Sequence, residues 1–224
     1  MSIILNIDTS TEIASVSIAD NGVILASVLN AIQKEHASFL HNAVKDVFSS
    51  LSLNINNIDA IAVTNGPGSY TGLRVGMASA KGFCYALNKP LITVGTLNAM
   101  ATAGLHAAKE TAVQSTLFCP MIDARRMEVY TAVFDSNMLE ILPACAMVLD
   151  ENSFKEMLSK NKMLFFGSGA IKWSSICTSE NAGIINELEI TTAINQLSYK
   201  KFINNDFTDL SYSEPLYVKE FFSP

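Results

Sequence analysis

Charge is scarce in this 224-residue chain: Asp, Glu, Lys and Arg make up 16% of it, against about 25% in an ordinary soluble domain. Long apolar runs are missing as well. The longest charge-free stretch, residues 90–108, is broken by Thr93, Gly95, Thr96, Asn98, Thr102, Gly104 and His106, which excludes the run of about 20 apolar residues that a membrane-spanning helix needs. Neither a basic n-region nor an apolar h-region opens the chain, whose residues 1–8 read as a strand. The expectation is a cytoplasmic protein with no membrane partner. Basic runs are also lacking, and 15 Lys and Arg against 21 Asp and Glu leave a net charge of −6. Such a field repels phosphate backbones, so the chain alone is not expected to bind nucleic acid.

Cysteine and histidine are equally thin. Cys84, Cys119, Cys145 and Cys177 show no CxxC spacing, which suits buried thiols in a reducing compartment. His36 and His41 are separated by about 140° around a helix, so they do not converge on one metal, and His106 stands alone. Glu35-His36 lacks the second histidine of HExxH, and no GxSxG elbow exists. Zinc-peptidase and serine-hydrolase chemistry by this chain alone are thereby excluded, and no metal is expected. What remains is apolar: 49% hydrophobic residues and a mean hydropathy of +0.27. Either a surface of Ser, Thr and Asn or a surface covered by another subunit accounts for that, and composition leaves both open.

Length alone allows one large or two small domains. Ile3, Leu5 and Ile7 share a strand face that runs into Asp8-Thr9-Ser10-Thr11, and residues 13–19 and 23–29 read as a hairpin around Asp20-Asn21-Gly22. Leu40, Val44, Val47 and Leu51, widened by Ala43 and Phe48, make an amphipathic helix. A strand at 60–63 leads through a glycine loop into a second helix striped by Leu73, Met77, Ala80, Cys84 and Leu87; a strand at 90–94 and a helix at 96–106 follow. The fold class is α/β. Polar, small residues at 107–115 mark a break. Beyond it come strands at 116–122, 128–134 and 144–149, a short helix at 151–159, a strand at 163–166 and weak helical signal at 191–202. Three opening strands in each half hint at a duplicated unit: a first lobe at 1–106, a smaller second lobe at 107–189, and a segment 190–224 packing back between or onto them.

Four turns are candidates for chemistry. The loop from Gly66 through Gly68 to Arg74 ends a strand and opens a helix, which aims free N–H groups at an anion. Equally, it is a tight turn that lets strand and helix pack closely. It is neither a Walker A nor a GxGxxG loop. Asp8-Thr9-Ser10-Thr11 reads as a phosphate or metal turn, or as an Asx turn. Asp123-Ala124-Arg125-Arg126 reads as a site or an ion-paired turn, and Gly167-Ser168-Gly169-Ala170 as a seat for a purine or a plain helix entry.

In this order Ile7-Asp8-Thr9-Ser10-Thr11, the segment from Gly66 to Gly76, Ile122-Asp123-Ala124-Arg125 with Glu128-Val129-Tyr130, Gly167-Ser168-Gly169-Ala170 and Pro215-Leu216-Tyr217-Val218-Lys219 resemble the bacterial TsaB, or YeaZ, family across essentially the whole chain. The resemblance implies a two-lobed actin/Hsp70-like ATPase fold (ASKHA, ribonuclease H-like). It also implies a non-catalytic role in making threonylcarbamoyladenosine in tRNA, beside the catalytic paralogue TsaD and the ATPase TsaE. The chain would form a homodimer when alone and meet tRNA only through the complex. Aligned on the paralogue's metal-binding His-x-x-x-His pair stand Thr96 and Met100, neither of which replaces imidazole. Asp8, Thr9, Ser10, Thr11, Gly66, Gly68, Asp123, Gly167 and Gly169 would form a vestigial nucleotide site with no resident cofactor and at most weak ATP or ADP binding. Phe39, Arg74, Ala78 and Lys81, off the buried stripes of the first two helices, are the expected partner interface. The rival reading is an ATP-dependent small-molecule kinase of the same fold, against which the missing glycine after Asp8 argues.

Overall fold

A computed structural model describes residues 1–32, 36–108, 115–186 and 188–219. Most of the break expected at 107–115, Glu35 and residues 220–224 of the C-terminal segment lie outside the described residues. The chain divides into two units, 1–96 with 191–216, and 97–190 with 217–224.

In the first unit, β1 (Ile3–Asp8), β2 (Ala14–Asp20), β3 (Val23–Asn30), β4 (Ala60–Gly66) and β5 (Leu91–Gly95) form one sheet in the order β3-β2-β1-β4-β5. β1 runs antiparallel to β2, from Ile3 opposite Asp20 to Asp8 opposite Ser15, and parallel to β4. All six β1 residues are buried because both faces of the sheet are covered. Ile3, Leu5 and Ile7 meet α1 (His36–Ser50) through Leu40, Val44, Val47 and Phe48, and α2 (Tyr70–Leu87) through Met77, Ala80 and Cys84. These are the stripes that a 3.6-residue period predicts. On the opposite face α6 (Thr191–Ile203) is held by amides. The Asn6 Nδ2 group donates to Asn195 Oδ1 at 2.7 Å, and Asn195 Nδ2 donates to Ser17 Oγ at 2.8 Å and to the Thr191 carbonyl at 2.7 Å. After α6 the chain passes along β5, where the Thr208 N–H donates to the Leu91 carbonyl. It then reaches the end of β4, where the Leu216 N–H donates to the Asn65 carbonyl at 2.7 Å.

The second unit repeats the design. β6 (Thr116–Asp123), β7 (Glu128–Phe134), β8 (Glu140–Val148), β9 (Lys162–Phe166) and β10 (Ala182–Ile185) take the order β10-β9-β6-β7-β8. Again the first strand pairs antiparallel with the second and parallel with the fourth. The first strand is central in each sheet, so the duplication hinted at by the sequence is a duplication of topology, that of the ribonuclease H-like fold. One face carries Leu117, Cys119 and Met121 against α4 (Lys155–Leu158), α5 (Ala170–Ser174) and a triad of Phe154, Phe165 and Trp173, whose rings lie 5.4–5.5 Å apart. The other carries Phe118, Ile122, Ala132 and Phe166 against Leu97, Met100 and Ala101 of α3 (Thr96–Ala107).

That last contact corrects the expected division at 106. Apart from Thr96, α3 belongs to the second unit, because its apolar face fits the aromatic face of β6 and β9; α6 returns to the first. Two further differences are local. β8 starts four residues earlier than expected and accommodates Pro143, because an edge strand has no neighbour to receive the missing N–H. β10, only four half-buried residues, carries too little pattern to be read. Among the described residues, no helix is long and apolar enough to cross a membrane.

Candidate functional site

Within the first unit the β1–β2 turn closes on itself. Asp8 Oδ1 accepts from the Ser10 N–H at 2.9 Å, from Ser10 Oγ at 2.6 Å and from Thr64 Oγ1 of β4 at 2.6 Å. The first of these is an Asx turn. Asp8, Thr9 and Ser10 are buried, while Thr11 is half-exposed and donates to the Ile13 carbonyl. The glycine loop lies directly on this turn. The Ser69 N–H donates to the Ser10 carbonyl at 2.7 Å, and Thr9 Oγ1 donates to the Gly72 carbonyl at 2.6 Å. Ser69 Oγ in turn caps α2 by accepting from the Gly72 N–H at 3.3 Å.

Three glycines make that approach feasible. A Cβ at Gly68 would overlap the Ser10 carbonyl oxygen, one at Gly72 the Thr9 carbonyl oxygen, and one at Gly76 the Thr9 hydroxyl. Gly66, at φ +112°, faces the Leu216 carbonyl oxygen, which a Cβ would meet at 2.9 Å. The Ser69 and Gly72 N–H groups and the open faces of Gly68, Gly72 and Gly76 are thus occupied within the unit itself.

Within the second unit the Asp123 turn is ion-paired. Asp123 Oδ1 accepts from Lys172 Nζ of α5 at 2.6 Å and from the Arg125 N–H at 2.5 Å, and the Asp123 N–H donates to Ser168 Oγ at 3.0 Å. Burial pushes the Asp123 carboxyl up, but the Lys172 ammonium and the Arg125 N–H more than offset it, and the group titrates below its ordinary value. Gly167, at φ +92°, packs against Met100 Cε and the Met121 carbonyl. A Cβ at Gly169 would come within 2.7 Å of Val129 Cγ1. The faces of these two glycines pack against Met100, Met121 and Val129.

The four expected interface residues separate. Arg74 and Ala78 are exposed on α2. The Arg74 guanidinium lies over the Tyr70 ring, 5.2 Å from its centroid, and donates to the Tyr70 hydroxyl. Phe39 is half-buried against the first unit's core. Lys81 donates to the Ser211 and Ser213 carbonyls at 3.3 and 3.0 Å, which ties the C-terminal segment to α2. Sequence periodicity missed Tyr85, which is 84% exposed on α2 beyond Ala78; an aromatic on a polar face was the available signal. Beside α1, a shallow hollow of about 450 Å³ is lined by residues including His41, Val44, Phe48, Leu53 and Phe83. Among the described residues, no three of His, Cys, Asp and Glu converge into a group that could hold a metal ion.

A family model described as TsaD, tRNA N6-adenosine threonylcarbamoyltransferase, matches residues 24–200. The chain is 27% identical over 225 residues to the tRNA threonylcarbamoyladenosine biosynthesis protein TsaB of Escherichia coli, covering 96% of this chain and 94% of the relative. It is 30% identical over 131 residues to TsaB of Bacillus subtilis, a match of 58% of this chain that spans 54% of the relative. Among solved structures, YeaZ from Pseudomonas aeruginosa superposes with a TM-score of 0.76 at 24% identity, covering 97% of this chain and all of that one. A Pseudomonas aeruginosa protein described as similar to peptidase YEAZ gives 0.79 at 23% identity, covering 98% of this chain and 100% of that one. With four-fifths of its length inside the matched model, the chain belongs to the TsaD-type family, in its TsaB, or YeaZ, branch.

Proposed function

We propose that this chain is a non-catalytic subunit in the biosynthesis of threonylcarbamoyladenosine in tRNA. It would support a TsaD-like catalytic partner, joined by a TsaE-like ATPase, in the cytoplasm. The observation that carries the non-catalytic reading is Met100. At the position where the paralogue presents a metal-binding imidazole, this chain has a thioether that is 4% exposed and packed in an apolar core, and Thr96, at the other position, is buried. Neither side chain replaces an imidazole ligand.

Nucleotide binding by the isolated chain is at most weak on this reading, because the candidate glycines pack against Ser10, Leu216, Met100 and Val129. The same packing disfavours a small-molecule kinase, which needs open phosphate turns. A peptidase finds no support either, since HExxH is absent from the sequence. For the partner surface, the exposed face of α2 around Arg74, Ala78 and Tyr85 is the candidate, and a second copy of the chain would use it when the partner is missing.

Threonylcarbamoyl transfer to tRNA, measured with this chain, TsaD and TsaE together and with each omitted in turn, tests the reading. Loss of transfer on omitting this chain, and none from this chain alone, is expected; transfer by this chain alone overturns it. Ala78→Glu should abolish co-purification with TsaD while the circular dichroism spectrum stays unchanged. Micromolar ATP affinity by calorimetry would overturn the nucleotide part.

A further inference from the structure

Only three arginines occur in the chain, and two of them are adjacent, Arg125 and Arg126. Both are exposed on the turn between β6 and β7, and both hold left-handed backbone conformations, with φ of +72° and +48°. Two consecutive non-glycine residues in that region are costly and persist only where surrounding bonds hold them, which is a mark of functional turns. The bonds are here: the Arg125 N–H on Asp123 Oδ1, the Ala124 N–H on the Glu128 carbonyl, and the Glu128 N–H on the Arg125 carbonyl, the last two at 3.0 Å. The neighbouring carboxylates are already occupied by lysines. Lys172 holds Asp123 at 2.6 Å, and Lys219 holds both Glu128 oxygens at 2.9 Å. Among the described residues, neither arginine side chain forms an ion pair. The turn therefore presents two uncompensated guanidinium groups on a unit that otherwise carries 6 Lys and Arg against 12 Asp and Glu.

We infer that Arg125 and Arg126 contact the phosphate backbone of tRNA once another subunit has brought the RNA to this chain; this rests on the role in tRNA modification proposed above. Guanidinium forks bind phosphate in two-point fashion. The turn fixes their backbone, which leaves only side-chain freedom to lose on contact. The acidic surroundings supply no long-range attraction. Two contacts alone do not retain RNA, which agrees with a net charge of −6 and makes the turn a clamp that acts after docking.

The test uses the complex of this chain with its TsaD-like partner and fluorescently labelled unmodified tRNA, with anisotropy followed from 50 to 200 mM salt. Replacing both residues, Arg125→Gln with Arg126→Gln, should leave the complex assembled. It should also make the slope of log affinity against log salt about 2 smaller in magnitude, at about 0.9 per lost phosphate contact. Over that salt range the wild-type complex then loses about tenfold more affinity than the variant. The Arg125→Lys, Arg126→Lys pair should keep the slope and bind more weakly than wild type. Unchanged affinity and slope in the glutamine pair overturn the inference. So does loss of the protein partner with tRNA binding intact, which assigns the turn to an acidic protein surface. If the wild-type chain forms no complex at all, the reading under which it serves tRNA modification fails first, and the two failures are distinct.

Discussion

α2 contains glycines in opposite situations, and they predict substitutions of opposite sign in one helix. At Gly82 an added Cβ meets nothing within 4 Å, so Gly82→Ala should act only through helix propensity and stabilise the protein by about 1 kcal/mol. At Gly72 the same methyl overlaps the Thr9 carbonyl oxygen. Main chain cannot swing aside as a side chain does, so the overlap belongs near the upper end of the about 1–3 kcal/mol typical of overpacking. Any retreat of the helix also stretches the bond from Thr9 Oγ1 to the Gly72 carbonyl, now 2.6 Å, worth about 1 kcal/mol. After the propensity gain, Gly72→Ala should destabilise by about 2–3 kcal/mol, leaving the two alanine variants about 3–4 kcal/mol apart. Urea unfolding followed by far-ultraviolet circular dichroism measures the difference. Tryptophan fluorescence is the wrong probe, because Trp173 is the sole tryptophan and lies in the second unit. If Gly72→Ala proves as stable as Gly82→Ala, the close approach of α2 to the Asp8 turn is not what the glycines are for.

Three further outcomes follow from side chains inside the units. Asn195→Ala should cost about 3 kcal/mol in chemical unfolding, because it strips bonds from Asn6 and Ser17 in a closed interface; a cost below about 1 kcal/mol would contradict that account. Lys172→Met should raise the Asp123 pKa toward or above its ordinary 3.8, as read by NMR titration of that carboxyl. Since the folded value is the lower one, the ion pair's contribution to stability is complete above the ordinary carboxyl value and fades as pH falls through the folded one; an unmoved titration would remove Lys172 as the cause. Burial pushes the Cys84 and Cys119 thiols up to about 12, so at pH 8 a disulfide reagent should label neither until denaturant is added. Mass spectrometry locates the label, and native labelling of Cys119 would show that the second unit opens.

How far the structure was legible depends on what each element buries. α1 and α2 cover the sheet with Leu, Val, Met and Ala at helical spacing, so their period is visible in the letters. α6 buries Thr191, Asn195 and Ser198 beside Ile194, and a buried amide looks like a surface residue until its partner is known. That partner, Asn6, lies 189 positions away. The bonds of Lys81 were hidden for a related reason: its acceptors are carbonyls near position 212, and no pattern around position 81 announces them. At the site, the Asx turn at Asp8 was legible because its donors are neighbours in sequence. That Gly68, Gly72 and Gly76 all face Thr9 and Ser10 could not be read, since glycine spacing says that something comes close without saying what. Thr96 to Ala107 was recognised as a helix, but neighbourhood in sequence assigned it to the wrong sheet.

The helix after each sheet's last strand serves the other sheet, which sets an order of events during synthesis. All five strands of the first sheet have left the ribosome by residue 95, whereas the helix that seals its Asn6–Ser17 face is written at 191–203. At about 5–20 residues per second, roughly 5–20 s pass with that face bare. A nascent fragment ending near residue 106 would meanwhile carry Leu97 and Met100 with no aromatic bed to receive them. A fragment made of either half of the sequence therefore lacks the helix that covers one face of its own sheet.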